Sequence, residues 1–101
     1  MKAIITNIHV ENCSNIEAEH ISIWLNKKSI KNKIFSHIVP PNCFMQDSRY
    51  NIPIKFDTKK DKIIVSKNSK SLILILGYYS KDSKQPSHSK YATLYKREAI
   101  K

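Results

Sequence analysis

Tyrosines and lysines crowd the stretch from residue 78 to residue 95. Tyr78 and Tyr79 precede a polar run, Ser80-Lys-Asp-Ser-Lys-Gln-Pro-Ser-His-Ser89. Lys81 and Lys84 stand in it, Lys90 follows it, and Tyr91 and Tyr95 come next. Ammonium groups neutralise phosphates and aromatic faces stack on unpaired bases, so this mixture suits the grip of single-stranded nucleic acid. Each stacked base contributes on the order of 1–3 kcal/mol. The plainer reading makes the tyrosines strand residues at a rim and the lysines a solvated loop.

A second cluster is Phe44-Met-Gln-Asp-Ser-Arg-Tyr50, where Phe44, Arg49 and Tyr50 lead into an apolar strand. Phe44 follows a polar Pro-Pro-Asn-Cys stretch, which favours a place outside the core, against the alternative of a plug beneath a long loop. Trp24 is either a stacking platform or a rim tryptophan. His9, His20, His37 and His88 are scattered, and Cys13 and Cys43 stand thirty positions apart with no close pair. Metal sites want ligands in close pairs, so neither a metal nor a cofactor is expected. The cysteines read as free thiols in small buried or half-buried positions.

The charge is distributed unevenly. The chain has 101 residues and a formal charge of +10, yet residues 1–25 hold one base and three acids, while residues 26–101 hold 17 bases and five acids. Such an excess points to a polyanionic partner. The competing explanation is a solubility charge in a protein rich in Lys, Asn and Ile. Hydrophobic content of 41% is too high for disorder, and the length suits a single domain over residues 1–101. The longest apolar run, Leu72–Tyr79, is far shorter than the roughly 20 residues of a spanning helix. The first residues lack the pattern of a signal peptide, so the expected location is the cytoplasm, away from membranes.

The elements that must position these groups read as strands. Ala3–Val10 alternates after its first step, with Ile4, Thr6, Ile8 and Val10 on one side and Ile5, Asn7 and His9 on the other. In His20–Asn26, Ile21, Ile23 and Leu25 share a face opposite Ser22 and Trp24. Ile52, Ile54 and Phe56 share another. Leu72–Leu76 is apolar on both faces, which calls for a cover from elsewhere in the chain or from a second subunit. Tyr91–Tyr95 alternates again, and Ile63-Ile64-Val65 is long enough for one further short strand. Lys27–Asn42, with its Pro40-Pro41 stop, reads as a long basic loop or a short helix. A single glycine leaves Asn and Ser to supply the turns. The expected fold is all-β: a five-stranded, OB-fold-like Greek-key barrel with long basic loops, its strands near residues 3–11, 20–26, 50–57, 71–80 and 90–97.

Four stretches carry a resemblance. They are His20-Ile-Ser-Ile-Trp-Leu-Asn-Lys-Lys-Ser29, Phe44 nine positions before Pro53 in Tyr50-Asn-Ile-Pro-Ile, Leu74-Ile-Leu-Gly-Tyr-Tyr-Ser-Lys81, and Ser89-Lys-Tyr-Ala-Thr-Leu-Tyr95. In order and spacing the chain resembles the primosomal replication protein N (PriB) family and, more broadly, single-stranded-DNA-binding OB-fold proteins. The resemblance spans nearly the whole chain. It implies a non-enzymatic homodimer that binds single-stranded DNA and acts in primosome assembly and replication restart, beside the PriA helicase and the DnaT protein. Position by position, the family's basic loop falls on Lys81, Lys84 and Lys90, and its stacking phenylalanine on Phe44. The family tryptophan falls on Arg49, with Tyr50 adjacent as a substitute. The Lys27–Asn42 insert is longer than the family pattern, and the glycines of its first and last hairpins are missing. Tyr79 and Tyr91 complete the expected nucleic-acid-binding set.

Other readings belong to different classes. A viral or mobile-element interaction or inhibitor module would use the same charge on a nucleic-acid machine, and a basic RNA-binding protein would use it on RNA. A small ribonuclease would need His20, His37 or His88 beside a second catalytic group, and no telling spacing supplies one.

Overall fold

The computed structural model describes residues 2–49, 53–66, 70–80 and 92–99. The described chain is all-β, as expected, and its strands pair antiparallel throughout. In order these are β1 (Lys2–Asn12), β2 (Glu19–Lys27), β3 (Ile30–Val39), β4 (Phe44–Ser48), β5 (Ile54–Asp57), β6 (Lys62–Val65), β7 (Ser71–Ser80) and β8 (Ala92–Arg97). They form two sheets. The larger runs β4-β1-β7-β8, with β5 pairing β1 beyond β4, and the smaller runs β3-β2-β6. Among the described residues the ladders do not close into a barrel.

The five expected strands lie at or near β1, β2, β5, β7 and β8, and the short strand foreseen around Ile63–Val65 is β6. Residues 50–52 and 90–91, parts of two of those expected strands, lie outside the described residues.

The Lys27–Asn42 insert is not a loop or a helix. Its middle is β3, a ten-residue strand antiparallel to β2. Ile30, Ile34, Phe35, Ile38 and Val39 are β-favouring residues, and the lysines between them face water. The tight turn that joins β2 to β3 has no glycine. Lys28 (φ 48°) and Ser29 (φ 67°) take the left-handed backbone themselves, a conformation unfavourable for residues with a Cβ.

The two sheets face each other across one core. Ala3, Ile5, Ile8, Val10, Ile73 and Ile75 come from the larger sheet, and Ile21, Ile23, Leu25, Phe35 and Val39 from the smaller. β2 buries the face foreseen for it. β1 does not keep a single alternation. Ala3 and Ile5 are buried, and then Ile8 and Val10 are, because the register against β7 shifts between Ile5 and Asn7. The extra residue at Thr6 flips the phase of the strand and returns its apolar side chains to one face. The expected grouping of Ile4, Thr6, Ile8 and Val10 is thereby corrected: Ile4 is half-buried on the side away from Ile5.

β7 shows the two apolar faces foreseen for it. Ile73 and Ile75 are fully buried, while Leu72, Leu74 and Leu76 are half-buried on the outward side, beside Glu11, His9 and Asn7 of β1. Both cysteines are free and exposed rather than buried. The β5–β6 turn is closed by Asp57. Its Oδ1 accepts the Lys59 backbone N–H at 2.9 Å, which holds this carboxyl below the usual aspartate range. Among the described residues, no helix is long and apolar enough to cross a membrane.

Candidate nucleic-acid interface

Of the residues singled out from sequence, Phe44, Arg49 and Tyr79 are described; Lys81, Lys84, Lys90, Tyr50 and Tyr91 lie outside the described residues. Phe44 opens β4 opposite Glu11 and is 60% exposed, so it is not a core plug. Its ring stacks on His9, centroids 5.3 Å apart. His9 Nε2 in turn lies 3.8 Å from Glu11 Oε2. Phe44→Ala is therefore expected to change stability by no more than about 0.5 kcal/mol. A fall in melting temperature of more than roughly 5 °C would show instead that the ring supports the fold.

Arg49 is already committed. Its Nε donates to Asp47 Oδ2 at 2.9 Å and its Nη2 to the Ile34 carbonyl at 3.0 Å, which ties the end of β4 to β3. Tyr79 is 44% exposed, near the end of β7 opposite Ala3, whereas Tyr78 beside it is buried. Phe44 and Tyr79 thus flank opposite ends of β1. Their partners Glu11 and Ala3 are eight residues apart, about 25 Å of strand. The fold does not bring these two aromatics together.

It does bring together a set that the sequence reading left apart. Ile23 and Leu25 point into the core, so Trp24 between them and Asn26 after Leu25 face the other side of β2. The ladder places Lys33 of β3 and Ile64 of β6 on either side of Trp24, and Lys31 and Lys62 on either side of Asn26. Lys31 Nζ lies 5.2 Å and Lys33 Nζ 5.8 Å from the centroid of the indole ring. Cation–π contacts of this kind contribute about 0.5–1 kcal/mol at exposed sites.

A register irregularity makes this arrangement. Ile23 pairs with Phe35 but Trp24 pairs with Lys33, so Ile34 is the extra residue of a bulge. Ile34 and Phe35 are both buried, and Lys33 and Lys31 turn to the tryptophan side. The sequence signal was available in part: the Ser22–Trp24 face of β2 was legible, and so was the basic character of the insert.

The surroundings are one-signed. β2, β3, β6 and the turn after β2 carry Lys27, Lys28, Lys31, Lys33 and Lys62 against a single acid, Glu19. Glu19 is spent elsewhere, accepting from the Lys70 backbone N–H at 2.8 Å and from Ser71 Oγ at 2.7 Å. Asp61, next to Lys62, turns its Oδ2 to the Asp57 N–H at 2.8 Å. Lys27 is also committed, donating from Nζ to the Lys55 carbonyl. That leaves Lys31 and Lys33 over one half-buried indole, Lys62 in the adjacent row across from Asn26, and Lys28 at the strained turn. By contrast, the larger sheet mixes signs, with Lys2, Lys55, Lys96 and Arg97 against Glu11, Asp47 and Asp57. Among the described residues, no group of three or more His, Cys, Asp or Glu is placed to hold a metal ion.

No protein-family model, curated protein or solved structure matches the chain. What the protein binds is therefore read from its surface chemistry.

Proposed function

We propose that the protein binds single-stranded nucleic acid, without catalysing a reaction on it, across the outward face of the β3-β2-β6 sheet. One observation carries the reading: Lys31 and Lys33 lie over the outward Trp24, with Lys62 in the next row beside Asn26, in a sheet whose only acid is engaged elsewhere. Such a face attracts a phosphate backbone and offers an aromatic surface that duplex DNA, with its bases stacked, cannot use. Lys81, Lys84, Lys90, Phe44, Tyr50, Tyr79 and Tyr91 remain in the proposal as further contacts along a strand.

The finer architecture belongs to the same proposal. It assigns β1, β2, β5, β7 and β8 to a five-stranded OB-type Greek-key barrel with β3, β4 and β6 as additions; among the described residues, β2 itself pairs only with β3 and β6 and shares no ladder with the other four. The setting that the resemblance implies belongs to it too: primosome assembly and replication restart, with the PriA helicase and DnaT as partners, in the cytoplasm. A homodimer is proposed as well, through the outward Leu72, Leu74 and Leu76.

The test is affinity for oligothymidylate against salt. Replacing Lys31, Lys33 and Lys62 together with Gln is expected to lower the log–log slope by about 2, since each phosphate contact contributes about 0.7 on a single strand. The same triple change at Lys81, Lys84 and Lys90 measures the share of that segment. An unaltered slope and affinity after the first change would reduce the basic face to solvated surface. Equal affinity for duplex of the same length would remove the single-strand preference.

A further inference from the structure

We infer that a base of the bound strand lands on Trp24 by exchanging places with Lys31 and Lys33, whose ammonium groups leave the indole for the strand's phosphates. This rests on the single-strand reading above and adds to it the base-contacting residue and the event that loads it.

The free protein holds two like charges over one ring, at 5.2 and 5.8 Å from its centroid, with no carboxylate among their ladder neighbours. Two ammonium groups sharing one aromatic ring repel each other, and each gains more from a phosphate than from a share of the ring. A base and its flanking phosphates satisfy both requirements at once: the base takes the ring, and the phosphates take the lysines. An acidic protein surface or a polyphosphate would draw the lysines away and leave the indole bare.

Two further observations point to the same place. Asn26 Oδ1, in the adjacent row between Lys31 and Lys62, is buried without a hydrogen-bond partner. For this oxygen to accept from a base amino or imino group, the departure of the neighbouring Lys31 in the exchange has to uncover it. The turn leading into the lysine-bearing strand is held by left-handed Lys28 and Ser29, where Asn or Gly would sit relaxed. That choice places one more cation at the tip of the hairpin.

Trp24 is the only tryptophan in the chain, so its emission reports the exchange without a label on the protein. The experiment titrates the full chain with end-labelled oligothymidylate of about 12 nucleotides, within the usual site sizes. It reads oligonucleotide anisotropy and Trp24 emission together. An abasic deoxyribose-phosphate chain of equal length and inorganic polyphosphate serve as probes that offer phosphate without a base.

Oligothymidylate is expected to quench Trp24 in step with the anisotropy rise. The abasic chain should bind about ten-fold more weakly or worse and should not quench. Trp24→Ala should erase the preference for thymidylate over the abasic chain while keeping the salt slope; Trp24→Phe, which keeps a stacking face, should retain part of it.

Anisotropy binding of both chains with equal affinity and no quenching would overturn the exchange and leave single-strand binding standing. No anisotropy change at low salt would overturn the binding reading, and the exchange with it. Because quenching is read on the unaltered protein, a Trp24→Ala chain that fails to fold does not blunt the test.

Discussion

Gly77→Ala is expected to lower the melting temperature by on the order of 15 °C or to abolish folding. A Cβ at this position would lie 1.8 Å from the Ile4 carbonyl oxygen and 2.7 Å from Leu94 Cδ1. The leucine can rotate away. The carbonyl cannot, because it belongs to β1, which is pinned by β7 on one side and by β5 on the other. Gly77 pairs with Ile5 just before the Thr6 bulge, and it faces Ala92 of β8. The backbone comes so close here that only a hydrogen fits. Forcing β1 and β7 apart at the centre of the larger sheet costs about 3 kcal/mol or more, beyond the usual range for an added methyl group. For a domain of this size each kcal/mol is worth roughly 4–8 °C. Thermal unfolding followed by circular dichroism measures it, and a shift of less than about 4 °C would show that the strands can part cheaply. The cause is space rather than backbone angle, since no glycine here has positive φ.

Asn12→Ala is expected to cost about 3 kcal/mol or more, through hydrogen bonds rather than packing. Asn12 is fully buried at the end of β1. Its Nδ2 donates to the Glu17 carbonyl at 2.8 Å and to the Val39 carbonyl at 3.0 Å, and its Oδ1 accepts from the Ser14 N–H at 2.9 Å. One side chain thus closes the β1–β2 connection and fastens the end of β3 to the other sheet. Alanine leaves two carbonyls and one N–H without partners, and each such group costs about 1–3 kcal/mol where water cannot reach it. Asn12→Asp separates shape from hydrogen bonding. It keeps the volume and the acceptor, loses both donated bonds and turns a carboxylate toward two carbonyl oxygens. Burial and those oxygens raise the pKa of such a group in the folded state, so its penalty is greatest at neutral pH and shrinks as pH falls through that raised value. Urea unfolding of the three proteins at neutral and acid pH measures both effects. Equal stability of the Asp variant and the original protein at neutral pH would sink the account. The consequence for the proposed function is local: β3 carries Lys31 and Lys33, so loosening its end should weaken the proposed nucleic-acid binding before the whole domain unfolds.

These two residues mark where reading the sequence stops. The polar Asn12 carries no local sign of its three backbone partners, two of which stand 5 and 27 positions away. Gly77 was legible as a strand residue in an apolar run, but not as the point where β1 and β7 touch. The site divides in the same way. Alternation in β2 placed Trp24 opposite Ile23 and Leu25, and composition made the insert basic. Expecting a loop or a short helix there separated the lysines from the tryptophan. The basic stretch after β7 was the most conspicuous mixture of lysine and tyrosine, and it drew attention from a cluster assembled out of three strands.

What the sequence determined by itself is whatever depends on neighbours along the chain. The all-β class, the inward face of β2, the double apolar face of β7 and the uneven charge all follow from side-chain type at a spacing of two residues. What the tertiary structure alone decided is whatever depends on register. A single extra residue reverses every side chain beyond it, so the bulge at Thr6 let both halves of β1, Ala3 and Ile5 before it and Ile8 and Val10 after it, face the core, and the bulge at Ile34 chose which lysines face Trp24. Neither bulge has a local signature, because each is fixed by how long-range partners fill the core on either side of it.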